Sequence, residues 1–136
     1  MLHPRLIETR TATLERTAVG LVEVRFKPDV KLDAEGLAEV VRAKQSLCAA
    51  EAADILMVLP PEVDFDLGIM GVDHHALNGG CGQARRLALA AQSTFNERLA
   101  GIYFRYHPRE NATAVFIDEG DARHWLSEGV SEASLA

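Results

Sequence analysis

Five apolar residues in a row, Ile55 to Leu59, follow Asp54 and precede Pro60-Pro61. The run is too short to cross a membrane and has no helical face. It predicts a strand buried on both sides in the middle of a parallel sheet. Leu21 to Lys27 alternates instead. Val22, Val24 and Phe26 fall on one face and Glu23, Arg25 and Lys27 on the other, which predicts a strand with one wet face. Thr11, Thr13, Leu14 and Thr17 predict a partner strand over about 10–17, with a turn at Gly20, so the two form an antiparallel hairpin. Residues 1–9 contain Pro4 and no clear period, and read as a lead-in or a frayed first strand. Arg85–Gln92 predicts a second buried strand. Leu87 and Leu89 share one of its faces and Ala88 and Ala90 the other, which calls for close approach on the alanine side. Ala112–Ile117 is a third strand of this kind.

Helical spacing fills the gaps. Asp33 caps a helix over about 34–49 with Leu37, Val40, Val41, Leu47 and Cys48 on its apolar side and Glu35, Glu39, Arg42 and Lys44 nearer water. Asp66 and Asn78-Gly79-Gly80 bracket a short helix over about 66–77. Ser93 caps the next, whose stripe Phe95, Leu99, Ile102, Tyr103 and Tyr106 predicts core packing before His107-Pro108 end it. Asp118 caps a last helix with Ala122, Trp125 and Leu126 on one face, and His107 and His124 lie at or beside helix ends. The order β-β-α-β-(α)-β-α-β-α predicts an α/β fold with a mostly parallel sheet and right-handed crossovers.

Length and charge narrow the function. The 136 residues form a single domain, 1–136, with no linker or repeat. Hydrophobic residues at 48% and charged ones at 25% are those of a folded globule. The net charge of −6 argues against nucleic acid as a partner. Cys48 and Cys81 have no CxxC spacing, so free thiols in a reducing compartment are expected. The opening MLHPRLIETR lacks the apolar core of a signal peptide, and no run approaches ~20 apolar residues, so no transmembrane segment and a cytoplasmic location are expected.

Three segments carry a resemblance: the hairpin GLVEVRFKPDVKLDAEGL, the strand and capped helix LALAAQSTFNERLAGIYFR, and the ending ATAVFIDEGDARHWL. Together they resemble STAS-like proteins and, more narrowly, the bacterial SpoIIAA-like or CRAL-TRIO-like proteins of unknown function. The resemblance covers about residues 18–129 and is most specific at Phe116, Asp118-Glu119, Ala122 and Trp125-Leu126. It implies a single-layer β-α superhelix, a mixed sheet of about five strands with helices largely on one side. The anti-sigma-factor antagonists of this fold carry a phosphorylatable Ser or Thr after the third strand. No Ser or Thr occurs here between Ser46 and Ser93, so that switch is not expected.

Candidate chemistry gathers in the glycine-rich stretch 62–82. Asp64, Asp66, Asp73, His74 and His75 are metal-ligand types, but adjacent histidines on a helix diverge by about 100° and no HxxxH spacing exists. A solvated acidic loop with no metal or other cofactor is the expectation. Cys81, between Gly80 and Gly82 and near Arg85-Arg86, is a thiol with no base placed beside it by any motif. Gly79–Gly82 lacks the pattern of a phosphate loop. With no catalytic constellation, the expected role is a non-catalytic interaction or regulatory module. It would pair with a protein partner or self-associate as a homodimer, the Ala88/Ala90 face being the surface to cover. The alternatives are a carrier of a small apolar ligand or lipid, since CRAL-TRIO domains bind lipids, and a metal- or thiol-dependent enzyme using the 62–82 loop.

Overall fold

The computed structural model describes residues 6–18, 20–48, 53–64, 66, 84–107 and 112–135, apart from the side chains of 18, 45, 48, 84, 85 and 129–135. Six strands form one sheet in chain order: β1 (Leu6–Glu8), β2 (Ala12–Ala18), β3 (Leu21–Phe26), β4 (Ala53–Val58), β5 (Ala84–Ala90) and β6 (Ala112–Phe116). β1, β2 and β3 pair antiparallel; β3 through β6 pair parallel. Three helices complete the described chain: α1 (Ala34–Cys48), α2 (Thr94–Tyr106) and α3 (Glu119–Leu135). The expected α/β architecture with a mixed, mostly parallel sheet is present. The sheet has six strands rather than five, because residues 6–8 pair with the hairpin.

β4 is the centre. Every residue from Ala53 to Leu59 is buried, with β3 on one side and β5 on the other. Period two then divides the core. Leu14, Val22, Val24, Ile55, Met57, Leu87 and Leu89 face α1 and α2, which contribute Val40, Ala43 and Leu47, and Ala100 and Phe104. Leu56, Val58, Ala88 and Ala90 face the other way and meet Ala122, Trp125 and Leu126 of α3. The alanines are closely approached, as their size requires, but by the chain's own last helix. That face is therefore not the bare one on which self-association was expected.

Side chains close the starts of α1 and α2. Asp33 Oδ1 accepts from Gly36 N at 2.8 Å, and Ser93 Oγ from Asn96 N at 3.1 Å, as both caps predict. α1 has no basic residue in its last turn. Arg16 of β2 supplies one from outside, its guanidinium donating to the Leu47 carbonyl. Two expectations for helix faces fail. Lys44 is buried rather than nearer water, and His124 lies inside α3, paired with exposed Glu128 at 2.9 Å.

Candidate functional site

The predicted acidic loop is described only at its start. Asp64 and Asp66 are exposed, and their backbones are stitched to the segment before α1: Leu32 N donates to Asp64 O at 2.8 Å, and Asp66 N donates to Leu32 O at 2.9 Å. Asp73, His74, His75, Cys81 and the helix expected over 66–77 lie outside the described residues. Among the described residues no group of three or more His, Cys, Asp or Glu stands together as metal ligands would.

A charged cluster that alternation alone misassigned sits where β3 meets α3. Glu23 was expected on a wet face and is instead buried. Its carboxylate accepts from Arg123 at 2.8 Å, Arg25 at 2.9 Å and Thr17 at 2.9 Å. Arg25 in turn grips Glu119, and Arg123 donates to the same Glu119 at 2.8 Å. Burial alone would push the Glu23 carboxyl up; the hydrogen bonds from Arg123 and Thr17 outweigh it and hold the group below its ordinary range. Glu119 is drawn down to about 2, chiefly by its hydrogen bonds from Arg25. Two cations and two carboxylates balance, so the quartet fastens α3 to the sheet and leaves no net charge for a ligand. Beside it Arg86 stacks 3.7 Å above the Trp125 ring and donates to the Trp125 carbonyl at 3.0 Å. The signal was present in the sequence as matching pairs, Glu23/Arg25 at strand spacing and Glu119/Arg123 at helical spacing.

At the carboxyl ends of β4 and β5, buried Asn96 gathers three carbonyls. Its side-chain nitrogen donates to Ala91 O at 2.9 Å, Pro60 O at 3.0 Å and Pro61 O at 3.3 Å. This ties the β4 exit to the start of α2. Gln92 takes a left-handed φ of 68° there, turning the chain so that Ser93 can cap.

The helical stripe holds the main surprise. Phe104, opposite the stripe, is the residue that packs against the sheet, with Ala100. Phe95 is 64% exposed, Ile102 40% and Tyr106 74%. At about 100° per residue these three lie within one narrow band, pointing away from the sheet, with half-buried Leu99 and Tyr103 on one flank. Exposed Arg98 and Arg105 line the other flank, and among the described residues neither has an ion-pair partner. The periodicity was correctly read and its direction was not. A helix with apolar residues on two opposite faces gives no clue from spacing alone as to which face is inside.

Comparison with protein-family models, curated proteins and solved structures finds no match for this chain. No helix among the described residues is long and apolar enough to cross a membrane.

Proposed function

We propose that the chain is a non-catalytic, STAS-like interaction module, working in the cytoplasm, whose contact surface is the outer face of α2. The observation that supports this reading is the exposed row Phe95, Ile102 and Tyr106. Single exposed apolar residues are ordinary on a folded surface, but three in register on one helix, two of them aromatic, have the composition of an interface core. The capped helix is a rigid support for such a surface. A carrier of an apolar ligand between α2 and the sheet is the weaker reading, since Phe104 and Ala100 already pack there against the core cluster that includes Leu87 and Leu89.

The test is site-specific photocrosslinking in cells. A benzophenone amino acid placed at 95 or 106 should yield the same discrete protein adduct, identified by mass spectrometry, while placement at exposed Glu15 of β2 yields none. No protein adduct from either α2 position, or adducts to lipid alone, would remove the support for an interaction module.

A further inference from the structure

The outer face of α2 also says what kind of partner fits it. Resting on the interaction-module reading, we propose that this face docks an acidic amphipathic segment of another protein, an apolar row flanked by carboxylates. The chain as a whole carries −6, yet this face shows exposed Arg98 and Arg105, seven residues apart and so on one ridge beside the Phe95–Ile102–Tyr106 row. Four other cations meet acids: Arg10 with Asp33, Arg25 with Glu119 and Glu23, Lys27 with Glu8, Arg123 with Glu23 and Glu119. Exposed Lys31 and Arg42 also have no ion pair among the described residues, but neither lies on α2, where Arg98 and Arg105 flank an exposed apolar row. A basic ridge with no ion-pairing carboxylate among the described residues, on an acidic protein, is complementary to an acidic partner.

A second copy fits less well. Two α2 helices paired antiparallel about a two-fold axis bring the same ridge together, setting Arg98 against the other copy's Arg105. Paired parallel, the arginines face Leu99 and Tyr103, again with no carboxylate. An anionic membrane is disfavoured by the overall charge, because two arginines offer little surface attraction against −6.

The probe is a pair of synthetic peptides about 18 residues long, long enough to fold on contact as helices. Both carry leucines at helical spacing; one has glutamates along the flank of that row and the other has lysines. Fluorescence anisotropy against the full chain should show the glutamate peptide binding about tenfold tighter, as two rim ion pairs allow. The preference should reverse with R98E/R105E, and binding should vanish with F95S/Y106S. If the charge reversal disturbs α2, R98Q/R105Q should abolish the preference instead. Equal binding of both peptides would overturn the acidic-partner inference and leave the module reading standing. Binding of neither would also overturn it, as would association only with vesicles of three parts phosphatidylcholine to one of phosphatidylglycerol. A homodimer dissolved by F95S/Y106S would overturn it in favour of a second copy. In each case crosslinking at 95 and 106 judges the module reading separately.

Discussion

Arg25 and Glu119 meet two-handed: Nη1 lies 3.0 Å from Oε1 and Nη2 2.9 Å from Oε2, across 94 residues of chain. A planar guanidinium on a carboxylate fixes direction as well as distance. The pair therefore sets where the first turn of α3 lands on β3, and the apolar contacts of Ala122 and Leu126 follow from that placement. Exposure of the arginines limits its energy, so the pair serves register more than stability.

Replacing Glu119 with Gln should show this through acid. The folded carboxyl titrates at about 2 instead of its ordinary 4.5. Its contribution is thus present above that ordinary value and drains away as pH falls from there toward about 2. At pH 7 the variant should lose about 1 kcal/mol, allowing for solvent screening. Urea midpoints should converge with those of the wild type as the solution is acidified. A gap that stays constant with pH would show that the ion pair is not its source.

Two glycines should respond oppositely to alanine. A Cβ at Gly36 would sit 2.5 Å from Thr11 Cγ2 and 3.1 Å from Asp33 Oδ1, where α1 begins against the hairpin. Gly36→Ala should therefore disturb the cap and destabilise, by roughly 1–3 kcal/mol as overpacked sites do. At Gly101, inside α2, a Cβ meets nothing within 4 Å. Gly101→Ala should stabilise by about 0.5–1 kcal/mol through helix propensity. Thermal unfolding of both variants checks the signs.

What the sequence made legible was whatever period and capping dictate. Val22, Val24 and Phe26 faced inward as alternation requires, Asp33 and Ser93 capped, and Leu87/Leu89 and Ala88/Ala90 separated onto two cores. What stayed hidden depends on contacts between distant segments. Glu23 reads as a surface acid until α3 brings Arg123 over it. Lys44 lies at helical spacing from Leu37, Val40, Val41 and Leu47, inside the apolar stripe, and only its charge made it read as a surface residue. Phe95 and Tyr106 read as core because hydrophobicity reports a preference for burial, not whether the burial is within one chain. Of the candidate site residues, Asp64 and Asp66 are among those described, and both are exposed.

Asn96 carries a cost out of proportion to its size. Its amide serves the carbonyls of Pro60, Pro61 and Ala91 in a nearly dry setting. Asn96→Leu keeps the branched heavy-atom outline, in a somewhat bulkier form, but strands those acceptors, which should cost about 2–3 kcal/mol. Amide hydrogen exchange should also quicken through the start of α2. An unchanged denaturation midpoint would mean water replaces the amide without loss.

Trp125, the chain's single tryptophan, makes the seating of α3 directly observable. Its ring packs 5.9 Å from that of Phe116 and lies under Arg86. Ala88 is fully buried beneath α3, in the cluster that includes Ala122 and Leu126, so Ala88→Leu must lift the helix or bend its rotamers. The expected loss is about 1–3 kcal/mol, with a red shift of tryptophan emission before any denaturant is added. Leu87→Ala, one residue away, points to the opposite core and leaves a cavity costing about 2–5 kcal/mol. Its native emission should be unchanged, although it is the less stable protein. If both variants shift the emission, or neither does, the two faces of β5 are not independent and α3 is not packed on the alanine side alone.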